Sequence, residues 1–410
     1  MIRTTIALIF LLSFLKGFSV TGEICDTCEY KTVAEGFAAA NTGDTLIIKA
    51  GTYQCKNLIL DKSLALIGEK GAILDGGMAG YVLKIMADSI TVSGFKIINS
   101  GRSYTKDFAA IYSFRANYFT IENNEIVDPF FGILLEKSKK GIVKNNRVYG
   151  TSVRIDDAGN GIHLWHCSEV EITGNEVFKL RDGIYLEFVD NSVIANNHTH
   201  DNVRYGLHFM FSNHDRYFQN TFESNGAGVA VMFSKFIVMK ENNFIKNWGT
   251  ASYGLLLKEI YDAEVVDNNF TENTIGIFIE GSTRINYTSN LFEQNGWAIK
   301  VSGGCYANLF SANDFIGNSF DVSYDTKMND NRFDGNYWSD YTGYDLNKDG
   351  IGDIPYRPVK LFSYIVNRTP ETIILLRSLF VDIINFSEKV SPVFTPDELV
   401  DNHPSIKSFQ

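Results

Sequence analysis

The sequence predicts an all-β fold: a right-handed parallel β-helix, a solenoid of ~22-residue coils, with a helical C-terminal tail. Three observations carry this expectation. Two markers recur with one shared step pattern, the stretches between them have the period of short strands, and the composition changes abruptly near residue 354.

The first marker is a glycine followed by alternating apolar residues, at Gly132, Gly161, Gly183, Gly206, Gly228, Gly254 and Gly276, in steps of 29, 22, 23, 22, 26 and 22. The second is an asparagine turn at Asn146, Asn175, Asn197, Asn220, Asn242, Asn268 and Asn290, always 14 residues after its glycine. Between the markers lie strands of four or five residues bounded by Asn or Gly. Leucine-rich repeats would need Leu-x-x-Leu-x-Leu runs, which are absent. Asparagine tolerates a left-handed backbone at corners, and its amide can ladder from coil to coil. Residues 45–48, 58–60 and 64–67 read as the first strands, Thr32 to Ala40 as a helix over the open end, and later copies run through Asn313 and Asn331. Roughly ten to twelve coils make a stack of ~50 Å. The longer steps place loops at 149–160 and 246–253, on one edge, as a partner rim or as neutral drift.

The expected organisation is a secretory signal at 1–22, the β-helix at 23–354 and a helical docking segment at 355–410. Arg3 followed by the apolar run Ile6 to Leu15 is too short to span a bilayer and reads as a leader to the periplasm. All prolines except Pro129 fall at Pro355 or later, and the last glycine is Gly352. Glu371 to Lys389 reads as a helix more apolar than solvation requires, either packed on the last coils or docked on a membrane partner. With 37 basic and 48 acidic residues, net −11, a nucleic-acid partner is excluded.

The candidate chemistry sits on the strand that each glycine opens. Positions +1 and +3 are apolar and face the core, so +2 and +4 face out, while +5 turns inward with Phe188, Phe211 and Phe233. His166 is expected to point inward, and His198 and His200 to be solvated corner residues. The outward rows gather His163, Tyr185 and His208 at +2 and Trp165, Glu187, Met210 and Met232 at +4. His208 and Met210 would stand ~6.6 Å apart, with Met232 ~4.8 Å over Met210. One imidazole and two thioethers suit copper, Cu(I) above all, with Glu187 as a weak fourth donor. His163, two coils from His208, would serve a second site or a relay. The alternative is an apolar outer face covered by another protein.

Asp345, Asn347, Asp349 and Asp353 have the spacing of half a calcium loop, without the position-12 carboxylate; an unoccupied acidic turn is the other reading. Cys25 and Cys28 fit a disulfide, with each other or with Cys55, or a soft-metal pair. A carbohydrate-binding or carbohydrate-cleaving β-helix is the functional alternative, but Glu136, Glu187 and Glu280 lie too far apart to act together.

Three segments resemble the NosD family: Gly159–Trp165, Arg181–Phe188 and Arg204–Ser212. Gly226–Met232, Tyr253–Lys258 and Asn336-Tyr337-Trp338 are similar to the same family, and the likeness covers nearly the whole mature chain. The resemblance implies a non-enzymatic periplasmic copper-handling factor. It implies docking on an ABC-transporter permease and its ATPase, so that membrane association runs through the partner. It further implies delivery of copper, and of sulfur in one version, to the copper-sulfide centre of nitrous oxide reductase, together with a copper-chaperone lipoprotein. ATP hydrolysis would fall to the partner, because no P-loop occurs here.

Overall fold

The computed structural model describes residues 21–409 apart from 104, 157, 250, 251, 326–329 and 391–398. The leader expected at 1–22 therefore lies outside the described residues except for Thr21 and Gly22, which open the first strand, Thr21–Ile24. The chain is a parallel β-solenoid with three sheets of 14, 12 and 13 strands. The stack is thus longer than the ten to twelve coils expected. Every ladder between strands is parallel, so each coil pairs with the one before and the one after.

One coil shows how the sequence builds the rest. Asp182–Glu187 lies in the 12-stranded glycine-led sheet, Val193–Ala195 in the 14-stranded sheet and His198–His200 in the 13-stranded sheet. Left-handed residues make the corners: Phe188, Asn191, Asn196 and Asp201, with φ of 53°, 55°, 54° and 52°. Gly183 is required by close approach, because a Cβ there would stand 2.5 Å from the Gly206 carbonyl oxygen.

The asparagine ladder exists, but its geometry differs from the expectation. The left-handed residue is the one before each ladder asparagine (Asn145, Asn196, Gln219, Glu241). The ladder asparagines are buried. Each Nδ2 donates to the Oδ1 of the next, from Asn124 through Asn146, Asn175, Asn197, Asn220, Asn242, Asn268, Asn290 and Asn313 to Asn336, at 2.9–3.0 Å. A left-handed residue frees a backbone N–H at the bend, and the buried amide of the neighbouring coil satisfies it, as Asn197 N does on Asn220 Oδ1 at 2.9 Å. A second buried ladder, Asn202, Asn225, Asn247, Asn273, Asn295 and Asn318, runs five residues behind the first. Between the sheets the core is a column of stacked rings: Phe222, Phe244, Phe270, Phe292, Phe315 and Trp338, with centroids 4.1–5.3 Å apart.

Both ends of the rod are closed. At the N-terminal end α1 (Val33–Ala39) buries Val33 and Phe37, and Thr32 and Glu35 form a capping box. Lys62 Nζ donates to the carbonyls of Phe37, Ala38 and Ala40 at the other end of that helix. At the C-terminal end α2 (Leu361–Arg368) lies along the last strand of the glycine-led sheet. There Ser363 Oγ and Asn367 Nδ2 donate to the carbonyls of Val322 and Tyr324, at 3.5 and 2.8 Å. Phe362 and Val366 pack with Phe320 and Val381.

The 355–410 segment is helical only in part. The single helix expected over 371–389 is a 3-10 turn at Pro370–Leu375, a break, and α3 (Leu379–Val390). Tyr356, Val359 and Leu399 belong to the main core, so the flanks of the segment cap the rod. No helix among the described residues is long and apolar enough to cross a membrane.

Asp321 stands in the last glycine-led strand at the place glycine or alanine takes in earlier coils. Burial, and then the nearby charge of Asp340, push its carboxyl up from 3.8 to about 7. A raised carboxylate contributes stability that is complete below 3.8 and is lost as pH rises through about 7. Asp321→Asn, which cannot ionise, should therefore match the parent near pH 4 and exceed it by about 4 kcal/mol near pH 8 in urea unfolding. A difference that does not change with pH would refute the assignment.

Candidate functional site: an imidazole and thioether face

The candidate site lies on the outer face of the glycine-led sheet, and register places its members. His208 and Met210 share the strand Tyr205–Met210; Met210 pairs with Met232 above and with Glu187 below. These four residues therefore hold neighbouring positions on one sheet. His163 is set apart: it registers with Tyr185, which registers with His208, so a phenol ring separates the imidazoles. The ring centroids are 4.7 Å apart on each side of Tyr185.

The site is drier than an outer row suggests. His208 is only 6% exposed, enclosed by Tyr185 and Tyr205. Neither of its ring nitrogens has a hydrogen-bond partner among the described residues. A buried polar atom without a partner is costly. Tyr185 Oη lies 3.7 Å from Met210 Sδ, and burial holds the phenol well above its usual range, so it stays a donor. Burial, with the Arg181 guanidinium alongside, pushes His163 down to about 3, so this ring stays neutral.

One ion pair and one arginine–asparagine pair, both missing from the sequence expectations, line the same face. Asp182 is fully buried; Arg204 Nε donates to its Oδ1 at 2.7 Å and Arg204 Nη2 to its Oδ2. Burial opposes its ionisation, but Arg204 and then His208 outweigh burial and hold the carboxyl below its ordinary range. His208 Nδ1 stands 3.8 Å from Asp182 Oδ2. One turn earlier, Arg181 donates to Asn160 Oδ1 at 3.1–3.2 Å, and Asn160 Nδ2 faces His163 Nδ1 at 3.4 Å. Simple alternation would send residues 160 and 182 inward. The backbone instead turns Gly183 toward Thr199 and Asn202 in the interior, which leaves its predecessor outside. The available signal was the shared place of Asn160 and Asp182 directly before the glycine.

The +5 row is also corrected. His166, Phe188, Phe211 and Phe233 are left-handed corner residues, and a residue at such a corner projects outward. The three phenylalanines are 38–41% exposed, and the four rings stack in a column at 4.7–5.2 Å. His198 and His200 lie on a strand, not at a corner. They sit against Glu223 at 3.3 Å and Glu176 at 3.5 Å.

Among the described residues, no three His, Cys, Asp or Glu side chains gather in a set able to hold a metal. The soft donors on this face are the thioethers of Met210 and Met232 and the imidazole of His208, a set that suits soft cations. The calcium reading gains no support. Asp345 accepts from the backbone N–H groups of Lys348, Asp349 and Gly350, Asp353 accepts from Leu346, and Asn347 is bonded to Asp349. The loop's own amides use those oxygens. Cys25 and Cys28 are joined in a disulfide, which leaves no thiolate pair for a metal, and Cys55 is buried and free.

Fold and face define a parallel β-solenoid that carries a soft-donor patch, and solved structures share the architecture. The Dettilon tailspike protein superposes with a TM-score of 0.57 at 16% identity, over 70% of this chain and 64% of that one. A GH87 α-1,3-glucanase from Streptomyces thermodiastaticus gives 0.55 at 12%, over 75% and 65%. At such identities the likeness concerns the fold alone.

Sequence relatives are more specific. A family model described as "Periplasmic copper-binding protein (NosD)" matches residues 145–343, which contain every candidate copper residue. A probable ABC transporter binding protein NosD of Pseudomonas aeruginosa is 31% identical over 381 residues, 88% of this chain and 87% of that protein. Its namesake in Stutzerimonas stutzeri is 29% identical over 382 residues, 88% and 86%. This chain belongs to the NosD family.

Proposed function

We propose that this protein holds Cu(I) transiently on the outer face, through His208, Met210 and Met232 with Glu187 beside them. It then passes the ion on, in concert with an ABC transporter, for assembly of the copper-sulfide centre of nitrous oxide reductase. The observation that carries the reading is the buried, unpartnered imidazole of His208 in register with two thioethers. The periplasmic and copper-binding description of the family supports the same reading. Among the described residues no reactive thiol lies on this face: Cys167 is buried and burial pushes its thiol up to about 11.

The transporter part rests on the helical segment and on the names of the relatives. Leu379, Phe380, Ile383 and Phe386 form one face of α3, each 55–73% exposed, with Ile374 beside them at 86%. Such a face needs an apolar partner. Co-expressed with its cognate permease and ATPase, the tagged protein should retain both through detergent purification, and Leu379→Glu with Phe386→Glu should release them. Recovery of neither subunit by the parent chain would remove the transporter from the reading.

The carbohydrate alternative has less support. The corner rings Phe188, Phe211 and Phe233 spend their faces on each other and so offer a sugar no ring plane there. Glu136 and Glu280 are paired with Lys137 and Lys258.

A further inference from the structure

We infer that two arginine-anchored side chains impose opposite tautomers on the two buried imidazoles: Asp182 leaves His208 with a bare Nε2 that can ligate a soft metal, and Asn160 withdraws His163 from ligation. The inference rests on the copper reading above only for its consequence. The tautomers themselves are a property of the metal-free protein.

The argument starts at the guanidinium groups. Arg204 binds both oxygens of Asp182, so the carboxylate can only accept. It faces His208 Nδ1 at 3.8 Å with nothing else polar bonded to that ring. A bare nitrogen lone pair turned toward a buried carboxylate would be repelled. The stable neutral ring carries its hydrogen on Nδ1, and the lone pair then sits on Nε2. A carboxylate behind the distal nitrogen also makes the ligating nitrogen more basic, and partners of this kind are worth roughly 10–100-fold in metal affinity.

The same device is inverted at His163. Arg181 occupies Asn160 Oδ1 with two N–H groups, which fixes the amide so that its NH2 points to His163 Nδ1 at 3.4 Å. That nitrogen must accept, so the hydrogen sits on Nε2, which is buried and has no partner. A protonated Nε2 offers no lone pair, and Nδ1 has spent its own on Asn160. Residues 160 and 182 occupy the same register position on adjacent coils, each bound by the arginine of the following coil, but Asn160 meets the imidazole of its own strand and Asp182 that of the next strand.

The test uses the full mature chain with 15N-labelled histidine. In long-range proton–nitrogen correlation spectra of the metal-free protein, His208 should show a bare Nε2 and His163 a bare Nδ1. Asp182→Asn should reproduce the Asn160 arrangement, turn His208 to the Nε2–H form and weaken Cu(I) binding about tenfold or more, read by competition with a chromophoric chelator. Asn160→Asp should turn His163 to the Nδ1–H form and keeps the test decisive where Asp182→Asn does not fold. Identical tautomers in the parent protein, or rings unmoved in the variants that fold, overturn the inference. Tautomers as assigned in a protein that takes up no Cu(I) would sustain the inference and sink the copper reading instead.

Discussion

The combined variant His208→Ala, Met210→Leu, Met232→Leu is expected to fold as the parent does and to bind Cu(I) more than ~100-fold less tightly, a loss of ~3 kcal/mol. The fold should survive because none of the three side chains belongs to the main core. Met to Leu nearly preserves volume, and deleting the imidazole removes buried nitrogens that have no partner. Binding should fail because the donors left beside these positions, on Glu187, Tyr185 and Asp182, are oxygens, which a soft cation disfavours, and His163 lies beyond Tyr185. Circular dichroism and a chelator titration on the same sample decide the matter. Normal spectra with unchanged affinity would mean that copper is held elsewhere.

Asp401→Ala is expected to cost about 3 kcal/mol or more and to open the last coils first. Asn336 ends the ladder: its amide donates one N–H to the Phe310 carbonyl at 3.0 Å, and the other has no further asparagine to meet. Asp401, wholly buried, supplies the acceptor. Its carboxylate takes the backbone N–H groups of Gly335 and Asn336, the side-chain amide of Asn336 and the indole N–H of Trp338, all at 3.0–3.1 Å. Removing it orphans four donors at once in a buried place. Native-state hydrogen exchange should show lost protection at Arg332–Trp338, with Gly132–Met232 unchanged. Uniform loss along the rod, or none, would contradict the capping role.

Periodicity and register were the most legible part of the chain. Glycine and asparagine markers held 14 apart determine where each coil repeats, and register then places His208, Met210, Met232 and Glu187 together without any knowledge of the backbone. Side-chain direction at the corners was illegible to a rule of strict alternation. A left-handed residue rotates the chain, and so Phe188, Phe211, Phe233 and His166 face solvent rather than the core. The bulge at each glycine hid Asp182 and Asn160 for the same reason. The second asparagine ladder was in plain view, five residues behind the first, but a repeat already explained does not ask for another marker. Asp401 could not be found by counting, since it returns from 65 residues away to take the place of the next ladder amide.

That return has a mechanical consequence. Tyr356 and Asp401 exchange backbone hydrogen bonds, each 2.9 Å, so the helical excursion between them is a loop pinched shut at its neck. Glu388 accepts the amide of Leu361 within the loop and ties its outgoing and returning limbs together. Traction applied to the exposed helices by a moving partner cannot peel the tail away as a free end. It is borne at the pinch, next to the carboxylate that seals the rod, and reaches the stacked rings as a load along their axis.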